Sequence, residues 1–316
     1  MSKPGALALA VVLALSTALV APLQASATTA HLSSPRIVAH LDLAARQQVE
    51  NITLEPDGSA DVTFAYSRQI ARISPRGAVR VLATVPAPPE GSKTPAFGGE
   101  PIVGGIERDH DGTLYFAYST GTAELTGLWR LRPGGTPQRV VALPPTGVAN
   151  GLGLDGGYLY AADSVLGTIW RAPVGGGKAV AWSTAPELAQ SSLAGANGLA
   201  VHNGAVWTTN TDTGSVVRVP IRRDRSAGTA EVVATGLGLI DDIEFTGRDD
   251  TLLVAGIAAN EVLLVRPDGS HTVVLTAADG LQNPTSLARR GDTVYIGNAA
   301  YFTGVDPNLL TARLSC

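Results

Sequence analysis

The chain has 316 residues, of which 45% are hydrophobic and 16% are charged, and it contains 36 glycines and 20 prolines. So much apolar side-chain surface excludes an intrinsically disordered protein, because burial of that surface offsets the entropy lost on folding. A formal net charge of -4 and a pI near 5.7 argue against a nucleic-acid-binding protein, which needs a basic face for phosphate contacts.

The first predicted element is an N-terminal leader. Lys3 precedes an almost unbroken apolar run over residues 5–20, and the Ala-Ser-Ala sequence at 25–27 fits the small-residue cleavage pattern. We therefore predict a signal peptide over residues 1–27 and a secreted, extracellular or periplasmic protein. A membrane anchor is the alternative, and it is disfavoured because the run is short and no basic stop-transfer cluster follows it. Residues 28–48 are expected to close the following domain or to lead into it.

A repeat fills the predicted domain, residues 49–316. Each copy contains a short apolar strand, a Gly-containing hairpin, a β-branched or aromatic strand, a small-residue turn and a third strand, and several copies add a fourth. The six copies begin at Glu50, Gly104, Asn150, Asn197, Asp241 and Asn283. A pair of β-sandwiches would not place a polar residue at one phase of every copy, and a β-helix would need shorter rungs. We predict an all-β fold, a six-bladed β-propeller with four-stranded antiparallel blades around a central channel.

Oxygen-bearing side chains begin the innermost strand in five of the six copies. They are Glu50, Asn150, Asn197, Asp241 and Asn283. Because the innermost strand of each propeller blade lines the channel, residues at one phase of that strand are expected to form a ring. Carboxylate and amide oxygens, without His or Cys, suit a hard cation. The pattern therefore predicts a site for Ca²⁺ or another hard divalent cation.

The same residue types also serve turns, in which Asn and Asp hydrogen-bond to their own backbone. One such residue would be explained in this way, but four or five at one phase favour a shared site. Asn51, Asp242 and Glu244 are neighbours of the ring positions, and their side chains are expected to alternate away from or toward the ring because strands have a period of two. The Asp57-Gly58 pair indicates a structural hairpin.

Signatures of other enzyme classes are missing from the sequence. There is no Gly-x-Ser-x-Gly elbow and no Walker loop, and the glycines at 175–177 lie between predicted strands and open no helix. Cys316 is the only cysteine, so an intrachain disulfide is excluded, and we assign no role to this residue. An enzyme of this sequence would depend on its metal.

The repeat resembles the regucalcin/gluconolactonase superfamily of six-bladed propellers, over residues 49–304. The resemblance is carried by Asn150-Gly-Leu with Tyr160-Ala-Ala-Asp163-Ser164, by Asn197-Gly-Leu and by Asp241-Asp242-Ile. Paraoxonase and strictosidine synthase are similar at a greater distance. The second copy departs from the pattern, because it has Gly104-Gly105 at the ring position.

The resemblance implies a divalent cation, usually Ca²⁺, that activates a lactone or ester carbonyl. Carried onto this sequence, the residues that hold it are Glu50, Asn150, Asn197 and Asp241. Asp241 would be the catalytic general base, by analogy with the family's catalytic aspartate. The residues that would complete or orient the metal shell are Asn51, Asp242 and Asn283.

Two hypotheses for function follow from the residues and the resemblance. The first is a secreted Ca²⁺-dependent hydrolase of lactones or related esters, in which a metal-activated water attacks in the central channel and the loops at 86–100, 184–196 and 300–309 set specificity. The alternative is a non-hydrolytic propeller, either a binding module with a structural metal or a biosynthetic condensation or cyclisation enzyme. We expect a small-molecule partner, no nucleic acid, no stable membrane anchor and a monomer.

Overall fold

The computed structural model describes Met1 and residues 30–315. The predicted leader beyond Met1 lies outside the described residues, as does Cys316. Within the described part of the chain, no helix has the length and apolarity needed to cross a membrane. The first strand, β1 (His31–His40), joins the last blade of the fold, and the other strands follow in chain order.

Blades 1 to 3 use consecutive strands, and blade 2 gains one extra edge strand from the chain of blade 3. From the channel outward, blade 1 contains β2 (Val49–Leu54), β3 (Ala60–Phe64), β4 (Gln69–Ile73) and β5 (Val79–Thr84). Blade 2 contains β6 (Ile102–Arg108), β7 (Leu114–Ser119), β8 (Gly127–Leu131) and β9 (Gln138–Ala142). Blade 3 contains β10 (Ala149–Asp155), β11 (Tyr158–Asp163), β12 (Thr168–Pro173) and β14 (Val180–Ser183). The extra strand, β13 (Gly177–Lys178), pairs with β9 in parallel.

Blades 4 to 6 repeat the same order. Blade 4 contains β15 (Ala196–His202), β16 (Ala205–Asn210), β17 (Ser215–Pro220) and β18 (Glu231–Ala234). Blade 5 contains β19 (Ile243–Phe245), β20 (Leu252–Gly256), β21 (Glu261–Val265) and β22 (His271–Leu275). Blade 6 contains β23 (Pro284–Arg290), β24 (Thr293–Asn298), β25 (Asn308–Ser315) and, outermost, β1. Short 3-10 helices lie in three loops, at Phe97–Gly99, Pro186–Leu188 and Ala277–Asp279.

The inner strands contact one another in a closed ring, in the order β2, β6, β10, β15, β19, β23 and back to β2. This arrangement confirms the predicted six-bladed β-propeller. The apolar core lies between neighbouring blades, because each blade buries both faces of its central strands; β7 and β16, for example, are buried along their whole length. One core cluster joins Ile70 of blade 1 to Phe116 and Trp129 of blade 2.

Pairing between the first and the last described strands closes the ring of blades. Strand β1 runs antiparallel to β25, with His31 opposite Ser315 and His40 opposite Asn308. Residues 31–40 of the N-terminal segment thus supply the outer strand of blade 6, and the rest of that blade comes from residues 284–315.

A β-bulge interrupts five of the six inner strands at the same place, close to the strand's first residue. In β2 the extra residue is Glu50, since Val49 lies opposite Phe64 and Asn51 lies opposite Thr63. The N–H group of Asn51 that the bulge frees donates to the Thr63 hydroxyl at 3.1 Å. A bulge adds a residue and re-aims the side chains around it. Successive residues of one inner strand can therefore both face the channel.

Candidate functional site

One pocket, of about 350 Å³, lies at the end of the channel where the inner strands begin. Its lining includes four of the five residues predicted to form a ring: Glu50, Asn150, Asn197 and Asp241. All four are buried. The structure therefore brings these oxygen-bearing side chains, contributed by blades 1, 3, 4 and 5, into one site.

Asp241 is held at this site by the backbones of two blades, although it precedes the regular part of β19. Its N–H donates to the carbonyl of Ala255 at 2.8 Å, and its own carbonyl accepts from Gly198 N–H at 3.2 Å and from the Thr209 hydroxyl. The side-chain amide of Asn197 donates to Asp241 Oδ1 at 3.0 Å and to the Thr211 hydroxyl at 2.9 Å. The Asn197–Asp241 pair is thus fixed by backbone and side-chain contacts together.

Glu50 has a different partner, the Tyr301 hydroxyl, which donates to Glu50 Oε2. Burial raises the pKa of Glu50 to about 7, and hydrogen bonds from Tyr301 and Asn150 partly oppose this rise. Burial raises the pKa of Tyr301 well above its ordinary value, so this residue remains a neutral donor at physiological pH. The hydrogen bond from the Tyr301 hydroxyl therefore stabilises the charged form of Glu50.

Electrostatic repulsion also acts within the pocket. The pKa of Asp241 is raised well above its ordinary value, first by burial and then by the negative charges of Glu50 and Asp242. Two buried carboxylates that disfavour each other's ionisation need a nearby cation or a proton. A divalent cation would remove this cost, since carboxylate and amide oxygens are the ligands that Ca²⁺ prefers.

The donor set of the pocket fits such an ion on chemical grounds. Glu50 and Asp241 supply carboxylates, and Asn150 and Asn197 supply amide oxygens. Among residues 30–315, no group of three or more His, Cys, Asp or Glu side chains is arranged to hold a metal. A metal in this pocket would therefore rely on the two asparagines as well as on the two carboxylates.

Asn51 and Asp242 lie further along the channel, not around the pocket. They line a second cavity of about 160 Å³, together with Glu107 and Glu244, toward the ends of the inner strands. Asn51 Nδ2 donates to Asp242 Oδ2 at 3.3 Å, and the Ser286 hydroxyl donates to the same oxygen at 3.1 Å. The expected alternation of Asn51 with Glu50 was wrong, because the bulge at Glu50 turns both side chains toward the channel.

Asn283 does not belong to the ring, and its inclusion there was wrong. Its Oδ1 accepts from the N–H groups of Phe302 and Thr303 at 2.8 and 2.9 Å, and its Nδ2 donates to the carbonyl of Ile257 at 2.9 Å. The backbone of Asn283 is left-handed, with φ of 53°. Asn283 therefore holds the loop that carries Tyr301, which is the turn chemistry expected of a lone asparagine.

Several lining residues lie outside the predicted ring position and were not predicted individually. The polar members of this group are Gln48, Tyr66, Thr211 and Tyr301. Phe97, Leu193 and Phe302 form apolar walls, and one of them comes from each of the loops 86–100, 184–196 and 300–309. The rings of Tyr66 and Tyr301 lie 5.6 Å apart. Loop length was the signal in the sequence that pointed to Tyr301 and to the three apolar residues, whereas nothing pointed to Gln48, Tyr66 or Thr211.

Together the fold and the pocket define a six-bladed propeller with a polar, acidic site at one end of its channel and apolar walls above it. The chain belongs to the family described as a repeat of unknown function (DUF6923), which matches residues 57–239, more than half of the chain. The match includes Asn150 and Asn197 and stops short of both Glu50 and Asp241. A comparison with curated proteins gives no match.

Solved structures with a similar fold have varied activities. A calcium-binding protein, regucalcin from Agrobacterium tumefaciens, is 15% identical over 88% of this chain and 93% of that chain, with a TM-score of 0.63. PQQ-bound aldose sugar dehydrogenase from Streptomyces coelicolor is 15% identical over 91% and 99%, with a TM-score of 0.66. A catalytically inactive virginiamycin B lyase from Staphylococcus aureus, with quinupristin, is 16% identical over 84% and 80%, with a TM-score of 0.59. At these identities the likeness shows the fold alone.

Proposed function

We propose that the pocket is the active site of a divalent-cation-dependent hydrolase that acts on lactones or related esters. The observation that carries the proposal is the convergence of Glu50, Asn150, Asn197 and Asp241 in one buried pocket. These four residues would hold the cation, with Ca²⁺ as the preferred ion. Such an ion supplies Lewis acidity, which polarises a carbonyl oxygen and lowers the pKa of a water molecule.

The residues of the chain supply orientation and proton transfer. Asp241 would accept the proton of the attacking water, and Asn197 Nδ2, which donates to Asp241 Oδ1 at 3.0 Å, keeps that carboxylate in place. Tyr301 fixes Glu50 through its hydroxyl. Asp242, which lies beyond Asp241 along the channel, adds negative charge that increases the basicity of Asp241.

The walls of the pocket favour a substrate with an apolar acyl part over a sugar lactone. Phe97, Leu193, Ile257 and Phe302 contribute apolar surface, and the lining contains no Lys or Arg that would bind a carboxylate or phosphate on the substrate. Apolar walls with a few placed polar groups are typical of small-molecule sites. We infer that an alkyl or aryl substituent would pack against this wall while the carbonyl faces Asp241 and Glu50.

Secretion through residues 1–27 and action as a monomer belong to the same proposal. Extracellular calcium sites function with dissociation constants of about 10⁻⁴ to 10⁻³ M. A site with two carboxylates and two amides would therefore suffice outside the cell, where the ion is abundant.

The test is hydrolysis of alkyl-substituted lactones, gluconolactone and aryl esters by the mature protein. Rates are measured after chelation and again after addition of Ca²⁺, Mg²⁺, Mn²⁺ or Zn²⁺. We expect activity to disappear with chelator, to return with Ca²⁺ and to be highest on the alkyl-substituted lactones. No turnover, together with a rise in melting temperature on adding metal, would favour the alternative of a non-hydrolytic propeller with a structural ion.

A matched pair of variants separates substrate binding from general loop effects. Phe302 and Val305 lie in the same loop and each is 60% exposed, but Phe302 lines the pocket and Val305 does not. Phe302→Ala is expected to raise KM for alkyl-substituted lactones several-fold, whereas Val305→Ala leaves it unchanged. Equal effects of the two variants on KM would show that the apolar wall does not bind the substrate.

A further inference from the structure

A third cavity, of about 370 Å³, lies between blades 1 and 2 on the face of the propeller opposite the candidate active site, and its lining reaches outward to β5. Its lining includes Glu55, which follows β2, and Arg108, which ends β6. Glu50 lies near the start of β2, and a six-residue strand spans about 20 Å. The cavity is therefore separate from the pocket that holds Glu50 and Asp241.

Arginine dominates this cavity, although the chain as a whole is acidic. The charged residues that line it are Arg72, Arg80, Arg108, Arg132, Glu55 and Asp111. The Asp111 carboxylate already stabilises its own turn, since its Oδ1 accepts from the N–H of Thr113 at 2.8 Å. Positive charge therefore exceeds negative charge at this position, even when Asp61, which lies behind Arg72, is included.

Two of the four guanidinium groups are held in fixed positions. Arg72 donates to both oxygens of Asp61 at 2.7 Å and also pairs with Glu55. Arg108 Nε lies 3.0 Å from Glu55 Oε2, and its Nη1 donates to the carbonyl of Asp109 at 3.0 Å. Both guanidinium groups therefore already have carboxylate partners, and these contacts fix their positions at the cavity.

The other two guanidinium groups have no fixed partner. Arg80 and Arg132 are exposed, and neither makes a side-chain hydrogen bond or ion pair with another residue of the described chain. Arg80 also lies directly opposite Arg72 in the β4–β5 pair. Like charges at opposite positions of neighbouring strands repel each other. Because Asp61 and Glu55 already compensate the charge of Arg72, an added anion would serve Arg80, which has no carboxylate partner of its own.

We propose that this cavity binds an oxyanion of the phosphate or sulfate class carried on a small organic molecule. Guanidinium forks donate paired hydrogen bonds to tetrahedral oxyanions, and such charge-assisted bonds are stronger than neutral ones. The cavity is larger than an inorganic anion, and Leu82, Leu114 and Leu131 supply apolar surface beside the arginines. A phosphate or sulfate ester therefore fits the lining better than the free ion does.

The experiment measures binding of inorganic phosphate, inorganic sulfate and phenyl phosphate by calorimetry, with chloride used to keep ionic strength constant. The test variant is Arg80→Ala with Arg132→Ala, because both side chains are exposed and neither supports the fold. The control is Arg222→Ala with Arg223→Ala, which removes the same charge from exposed positions of blade 4. Circular dichroism checks that both variants remain folded.

We expect the wild-type protein to bind phenyl phosphate more tightly than either inorganic anion. Affinity is expected to fall by about tenfold or more in the Arg80/Arg132 variant and to be unchanged in the control. Lactone hydrolysis is expected to be the same in all three proteins. No binding of any of the three anions, or equal weakening in both double variants, would overturn the proposal, and neither result would bear on the hydrolase site.

Discussion

At the residue scale, the candidate site depends on two buried carboxylates that have different supports. Asp241 accepts a hydrogen bond from an amide, and Glu50 accepts one from a tyrosine hydroxyl. Both have raised pKa values because burial disfavours the charged form. The two residues are therefore expected to respond in distinct ways to substitution.

Asp241→Asn is expected to retain the fold and to abolish hydrolysis. The amide oxygen of asparagine can still accept from Asn197 Nδ2, but it cannot take a proton from water, so kcat is expected to fall by at least about 100-fold. Asp57→Asn, at an exposed hairpin, is the control and should leave the rate unchanged. Steady-state kinetics and a melting curve check both variants, and full activity of Asp241→Asn would exclude this residue from the mechanism.

Tyr301→Phe is expected to shift metal binding to higher pH. The hydroxyl of Tyr301 lowers the pKa of Glu50 toward about 7, so its removal raises that pKa and leaves more of the carboxyl protonated at neutral pH. Ca²⁺ must compete with this proton. Calorimetric titration with Ca²⁺ at several pH values measures the shift. Tyr66→Phe is the matched control, since Tyr66 lines the same pocket and packs on the ring of Tyr301; an equal shift in both would contradict the role of the hydroxyl.

The phase of the repeat was enough to predict that four polar residues line one pocket, because it places the first polar residue of an inner strand at one end of the channel. Asn283 was assigned to the same phase, but it precedes Pro284, which corresponds to Val49, so Thr285 holds the ring position in blade 6. Asn283 faces its own loop instead, because its amide oxygen accepts from Phe302 and Thr303. Tyr301 has no equivalent in other copies, so a search for repeated positions could not find it. A residue whose position depends on one loop conformation cannot be located by periodicity.

At the element scale, the glycines of the inner strands permit the close approach of neighbouring blades. A Cβ atom built on Gly151 of β10 would lie 2.3 Å from the carbonyl oxygen of Asn197 in β15. A Cβ built on Gly198 of β15 would lie 2.4 Å from the Cα of Asp242. Real Cβ atoms do not approach backbone atoms so closely, and backbone cannot move aside as a flexible side chain does. In the Asn-Gly pairs of blades 3 and 4, the asparagine therefore lines the candidate site and the glycine allows the neighbouring blades to pack closely.

Gly151→Ala is expected to destabilise the protein by about 3 kcal/mol or more, because the added methyl forces β10 and β15 apart. Gly175→Ala is the control: a Cβ there would meet nothing within 4 Å, so its effect should stay within about 0.5 kcal/mol. Urea denaturation measures both. Equal stability of the two variants would show that the inner strands can separate at no cost.

The strands themselves were predictable from alternating and apolar segments, whereas the bulges were not. A bulge changes the register by one residue without changing the composition of the strand. Glu50 and Asn51 therefore look like alternating residues in the sequence, although both face the channel in the structure. The period-two rule fails here because it assumes an unbroken ladder of hydrogen bonds.

At the scale of the whole molecule, the channel concentrates buried negative charge. Burial raises the pKa of Glu50 to about 7 and those of Glu107 and Glu244 to about 8, and the carboxylates Glu107, Asp242 and Glu244 also repel one another. The folded chain thus holds protons at a pH where the unfolded chain has released them. Stability must then decrease as the pH rises through this range.

The metal-free protein is accordingly expected to lose stability between about pH 4.5 and pH 8. Glu50 alone contributes of the order of 3 kcal/mol, because its pKa is about 7 when folded and near 4.5 when unfolded. Melting temperatures in chelator at pH 5, 6, 7 and 8 check the trend, and Ca²⁺ should restore part of the loss at the highest pH. A melting temperature that rises over this range in chelator would contradict the assignment of buried carboxylates.

The pairing of β1 with β25 has a consequence for the order of folding events. Because His31 pairs with Ser315, β1, the first of the described strands to be synthesised, cannot pair until β25, the last of them, has been made. Until then β25 presents an open edge, with unpaired N–H and C=O groups that another strand could occupy. Contacts between distant parts of a chain form slowly, since a long loop must close before they contribute stability. The final step of folding is therefore expected to be closure of blade 6, which cannot begin before β25 has been synthesised.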